Sequence, residues 1–106
     1  MSDPTHPENQ FSTEMMSRAE FTTGFLKTLS HPARLALLCR LAEGAATVSE
    51  LEGFIALPQA EVSKHLARLR TDGLVTAERH GRSISYALAE ERTARVVRLL
   101  HQEFCR

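Results

Sequence analysis

The sequence reads as a mainly α domain carrying one β-hairpin, ordered helix, helix, helix, helix, hairpin, helix. Three observations predict it. Apolar residues step by three and four through the first 42 residues and again through the last 16. Between them, Thr47-Val48-Ser49-Glu50 has the spacing of a capping box, and Pro58 stands where a helix tolerates it, so two short helices follow one another closely. After Asp72-Gly73, two short runs flank His80-Gly81-Arg82, and the second alternates as a strand does.

Taken in order, residues 1–10, with Pro4, Pro7 and Asn9, read as a frayed, disordered tail, and residues 11–106 as a single domain. Phe11, Met15, Ala19, Thr22, Leu26 and Leu29 form the stripe of a first helix, which Phe21 and Phe25 widen beyond one narrow face. Pro32, capped by Ser30 or His31, opens a second helix reaching about Ala42, before Gly44. Thr47 caps a third helix to about Phe54, and Pro58 opens a fourth that runs to Thr71. In the fourth, Val62, Leu66 and Leu69 share one face, while Ala60, Ser63, Lys64, Ala67 and Arg68 project from the other. Leu74–Arg79 and Ser83–Leu88 are the strands, with Ile84, Tyr86 and Leu88 on one side of the second. In the last helix, Glu90–Phe104, the apolar positions Ala94, Val96, Val97, Leu99, Leu100 and Phe104 nearly encircle the axis.

Composition narrows the classes. The 106 residues are 42% hydrophobic and 25% charged, which excludes collagen-like and disordered chains, and no apolar run approaches the roughly 20 residues of a membrane helix. No basic patch leads an apolar stretch at the N-terminus, so no signal peptide is expected. Two cysteines without such a signal point to a reducing, cytoplasmic setting. Net charge is zero but uneven: residues 1–53 hold 4 Lys/Arg against 7 Asp/Glu, residues 54–106 hold 9 against 6. A neutral chain with such a basic block still offers phosphates a local positive field; a merely solvated charged face is the alternative.

Two short helices joined by a brief turn and followed by a hairpin describe a winged helix-turn-helix. Its second helix needs a small, polar outer face to enter the major groove of double-stranded DNA. Here Ala60, Ser63 and Ala67 keep that face low, Gln59 suits a base edge, and Lys64 and Arg68 suit phosphates. His65 sits at the edge of the buried stripe, where core packing competes with DNA contact. Arg79 and Arg82 flank the hairpin tip and suit a wing laid along the backbone or into the minor groove; a plain hairpin turn is the other reading.

The segments LSHPARLALLCRLAEG and TVSELEGFIALPQAEVSKHLARLRTDGLVTAERHGRSISYAL resemble the ArsR/SmtB family of bacterial winged-helix repressors over roughly residues 20–105. The resemblance implies a homodimer built from the first and last helices, bound to an inverted-repeat operator until an inducer releases it. Pro58 and Ala60 depart from the pattern, standing where many relatives carry Ser.

Among that family's metal sensors, one type needs closely spaced cysteines in the third helix, and VSELEGFIAL has none. The zinc type needs Asp/His and His/Glu pairs along the last helix, where only His101 lies toward the end, so no metal or other cofactor is expected. Nor is an enzyme expected: His101 and Cys105, four residues apart on one helix, come with no oxyanion hole or substrate pocket. Cys39 and Cys105 belong to two helices that should pack together, and a free Cys is otherwise a small buried hydrophobe. LLCRL and LLHQEFC resemble the persulfide-responsive SqrR/BigR/HlyU branch, which implies that Cys39 and Cys105 are a sensor dithiol. Reactive sulfur species would bridge them, releasing the operator and derepressing sulfide-response genes. Arg98, Arg106 or a protonated His101 would favour a Cys105 thiolate, against the helix dipole. The competing expectation is a metal-responsive or constitutive repressor of the same family with structural cysteines.

Overall fold

In the computed structural model, residues 7–105 are described, with side chains from Ser12 onward. The elements are α1 (Pro7–Leu29), α2 (Pro32–Leu41), β1 (Ala46–Thr47), α3 (Val48–Ile55), α4 (Gln59–Thr71), β2 (Val75–His80), β3 (Ser83–Leu88) and α5 (Glu91–Phe104). Every expected helix and the hairpin are present. α1 begins at Pro7 rather than Phe11, and the first six residues of the expected tail lie outside the described residues. β1 was not expected. Two residues carry no alternation to read, yet Ala46 and Thr47 pair antiparallel with Tyr86 and Ser85, giving a three-stranded sheet ordered β1-β3-β2.

The core forms around α2. Leu37 and Leu38 have no exposed surface and Leu41 almost none; they meet Leu51 of α3, Val62, Leu66 and Leu69 of α4, and Ala94 and Val97 of α5. α2 starts sharply because Pro32 has its φ preset for a first turn and the His31 Nδ1 accepts the Ala33 N–H at 3.2 Å. α3 starts through a reciprocal box: Thr47 Oγ1 accepts the Glu50 N–H at 3.2 Å, and Thr47 N–H donates to Glu50 Oε1 at 2.9 Å. Those hydrogen bonds from Thr47 hold the Glu50 carboxyl below its usual range.

Between α3 and α4, Ala56 takes a left-handed conformation (φ 56°), and Pro58 then caps α4 without a side-chain acceptor. The hairpin turn is tighter than expected. His80 pairs with Ser83, leaving Gly81 and Arg82 as a two-residue loop, and the φ of 64° at Gly81 is what a type II′ turn requires of its first central residue.

α1 projects past this core. The Cα radius of gyration is 17.4 Å against about 13 Å for a compact chain of this length. Of the expected α1 stripe, Leu29 is the only residue buried among those whose side chains are described; Met15, Met16, Phe21 and Leu26 are exposed, as are Leu99 and Phe104 of α5. Arg92 of α5 lies 5.4 Å from the Phe21 ring centre, so the two unpartnered faces adjoin.

Thr47→Ala removes the hydroxyl that accepts the Glu50 N–H and leaves the backbone bond from residue 47 to Glu50 Oε1 in place. It should cost about 1 kcal/mol and lower the melting temperature by about 4–8 °C, with α4 and the hairpin intact by circular dichroism.

Candidate nucleic-acid interface and thiol pair

On α4, burial of Val62, Leu66 and Leu69 turns the opposite face outward. Gln59, Ser63, Lys64 and Arg68 are all exposed there, with Ala60 and Ala67 between them. Glu61 and Val62 N–H both go to Pro58 O, so the Gln59 and Ala60 N–H groups have no intrachain acceptor among the described residues. A helix start of that kind favours phosphate, and it offsets the missing side-chain cap. Arg79 and Arg82 are exposed at the hairpin tip.

Two expected site residues carry ties that sequence reasoning missed. Arg68 is folded back, its Nε donating to Asp72 Oδ2 at 2.9 Å, and Asp72 also accepts the Thr28 hydroxyl at 2.7 Å. Burial pushes the Asp72 pKa up, but the hydrogen bonds from Thr28 and Arg68 outweigh it and hold the carboxyl below its ordinary value. The i, i+4 spacing of Arg68 and Asp72 was the available signal. His65 is half-buried against His31, ring centres 4.5 Å apart and planes tilted by 53°. Desolvation, then the charges of His31 and Arg34, push the His65 pKa down. His65 joins α4 to the start of α2 through this ring contact.

The thiols lie where α2 packs on α5. Cys39 is half-buried, with its Sγ 3.9 Å from the Val97 carbonyl oxygen, and Cys105 is the exposed C-cap of α5. Both are free. Burial pushes the Cys39 thiol up, and the nearby charges of Cys105 and Glu43 push it further. Cys39 opens onto a groove of about 500 Å³ between α2, α3 and α5, which His101 also lines. Arg98, expected beside Cys105, is held by Glu91 Oε1 at 3.1 Å and by the Ala42 carbonyl at 2.8 Å, and lines the groove at Cys39 instead. Arg106 lies outside the described residues. Among the described residues, no three His, Cys, Asp or Glu side chains group to hold a metal ion, and no helix is long and apolar enough to cross a membrane.

Two short consecutive helices, the second with a small polar outer face, followed by a hairpin with exposed arginines near its tip, define a winged-helix transcription regulator. The family model for bacterial regulatory proteins of the arsR family matches residues 31–77. The biofilm growth-associated repressor of Xylella fastidiosa (strain 9a5c) is 41% identical over 99% of this chain and 91% of its own. Among solved structures, the transcriptional repressor BigR from Xylella fastidiosa superposes with a TM-score of 0.82 at 41% identity, covering 90% of this chain and 97% of that one. Reduced HlyU from Vibrio cholerae N16961 gives 0.83 at 32% identity, covering 88% and 98%. The chain belongs to the ArsR family: it is a DNA-binding transcription regulator, not an enzyme.

Two predictions follow from this geometry. Arg68→Ala should weaken DNA binding and lower the slope of log affinity against log salt by about one, while sedimentation of the protein alone stays unchanged. Wild-type affinity in Arg68→Ala would overturn the docking of α4. For His65, the folded pKa lies below the unfolded one, so the unfolded chain binds the extra proton first. Its contribution to stability is full above about pH 6.5 and is lost as pH falls through the depressed value. Chemical denaturation from pH 7.5 to 5 should show that loss, and His65→Gln should flatten it.

Proposed function

We propose that this protein is a homodimeric repressor that holds an inverted-repeat operator while its dithiol is reduced, and releases it when reactive sulfur species bridge Cys39 and Cys105. Release would derepress sulfide-response genes. One observation carries the reading: two free thiols sit on helices packed together, near enough for the charge of one to raise the pKa of the other. The resemblance to repressors, and the reading face of α4 with Gln59, Ser63, Lys64, His65 and Arg68 beside the wing residues Arg79 and Arg82, support the DNA half. The adjoining exposed apolar faces of α1 and α5 support the dimer, because a lone monomer rarely leaves Phe21 and Phe104 uncovered together.

The chemistry divides between the thiols. Cys105 is exposed and reacts first; Cys39, raised in pKa by burial, waits as the resolving thiol. With an organic trisulfide, the Cys105 thiolate attacks the central sulfur and expels one organic thiolate. Cys39 gives up its proton, attacks the same sulfur and expels the second. The dithiol loses two electrons, the donor gains them as two thiolates, and a trisulfide links α2 to α5. A plain disulfide demands Cα atoms within about 4.4–6.8 Å, and each inserted sulfur adds about 2 Å of reach. The bridge need only lower operator affinity about 100-fold, equivalent to about 2.7 kcal/mol of coupling.

Cys39→Ser and Cys105→Ser should each bind operator within about twofold of wild type, yet keep it after trisulfide treatment in a fluorescence anisotropy titration. Mass spectrometry of the treated wild type should locate one cross-linked peptide carrying the added sulfur. Release in both mutants would refute the dithiol model. A metal-responsive repressor would instead lose its operator on adding zinc to the reduced protein.

A further inference from the structure

The groove beside Cys39 is chemically specific. Its walls carry two guanidinium groups, Arg40 and Arg98, one carboxylate, Glu43, the imidazole of His101 and the half-exposed ring of Phe54. Arg40 donates one Nη1 bond to the Gly44 carbonyl at 3.1 Å and makes no ion pair within 4 Å among the described residues, though its charge reaches the Glu50 carboxylate. Arg98 is held in the groove wall by the Ala42 carbonyl, which also lines the groove, and by Glu91, which does not. Phe54 belongs to α3, the bracing helix of the reading head, so an occupant touches α2, α3 and α5 at once.

We propose that this groove is a binding subsite for the sulfur donor, and that it selects a low-molecular-weight organic polysulfide bearing carboxylates and an ammonium group, as amino-acid and small-peptide thiols form. The proposal rests on the dithiol reading above and deepens it. The guanidinium groups match carboxylates through planar forked donors, and Glu43 matches the ammonium. The volume of about 500 Å³ lies within the range of pockets that hold molecules of this size. Docking there holds the donor's sulfur chain beside Cys39 and along the α5 turn that runs from His101 to Cys105, so that Cys105 makes the first exchange and Cys39 the second, releasing both organic thiolates. Since the protein has zero formal net charge, its overall field does not steer an anionic donor, so any preference is local.

The test compares two donors, glutathione trisulfide and the uncharged bis(2-hydroxyethyl) trisulfide, by the rate at which each cross-links Cys39 to Cys105 in the full chain, read by mass spectrometry. The wild type should react about fivefold faster with the anionic donor at low salt, and the ratio should shrink at 1 M salt. Arg40→Gln should bring the ratio close to one while still cross-linking with the uncharged donor, which also shows that the variant folds; Arg40→Lys should keep most of the preference. Equal wild-type rates would overturn the subsite and leave the dithiol reading standing. Failure of both donors to cross-link the wild type would overturn the dithiol reading, and the subsite with it.

Discussion

The packing of α2 is the constraint on which the rest depends. Leu37, Leu38 and Leu41 are inaccessible or nearly so, and α2 contacts α1, α3, α4, α5 and β3. A ten-residue helix is too short to be stable alone, so its geometry is set by what it packs against. The converse also holds. Every other helix takes its angle from α2, and a shift of α2 against any one of them is felt by the remainder, because close-packed interiors do not absorb displacement softly. Cys39 stands on this helix at its contact with α5, whereas the reading face stands on α4, packed on its other side.

The chain from α1 to the DNA-facing side of α4 has an equally definite form. Thr28 donates to Asp72, and Asp72 accepts from Arg68, so one carboxylate at the C-terminal end of α4 joins the end of α1 to an arginine suited to phosphate. In free protein Arg68 is partly neutralised by that bond. In the proposed docking it either keeps Asp72 and reaches phosphate with its remaining donors, or exchanges one anion for another. Both options make its contribution smaller than that of an unpaired arginine, and both tie phosphate contact to the position of α1. A neutral protein with such local arrangements can bind a polyanion because the field that counts is the one within a Debye length of about 10 Å at 0.1 M salt.

How far this was legible depends on the length of the signal. All the helices but the eight-residue α3 run over ten or more positions, and at α3 the capping box of Thr47 and Glu50 marks a start by chemistry alone. The outer face of α4 followed directly from the spacing of Val62, Leu66 and Leu69. β1 was not legible, since Ala46 and Thr47 pair only because the fold brings Tyr86 and Ser85 alongside. The His31–His65 contact and the groove at Cys39 join residues 34 or more positions apart, from Cys39 to Val97 and His101, and no local pattern encodes them. Arg98 shows the same limit. Helical spacing placed it near Cys105, but the Ala42 carbonyl, 56 residues away in sequence, decides where its guanidinium goes.

The inequality between the two thiols bears on what kind of signal the pair can register. A thiol whose pKa is raised by burial and by a neighbouring anion is a slow nucleophile at neutral pH but a strong one once deprotonated. The neighbouring anion includes Cys105 itself. When Cys105 is converted to a mixed polysulfide, that charge is gone, and one of the causes holding Cys39 protonated goes with it. In the proposed mechanism the first exchange therefore removes one obstacle to the second. Burial, the largest cause, and Glu43 persist through the first exchange and keep Cys39 the slower of the two thiols. The proposed order, exposed thiol first and buried thiol second, thus rests on the burial of Cys39 rather than on any catalytic residue.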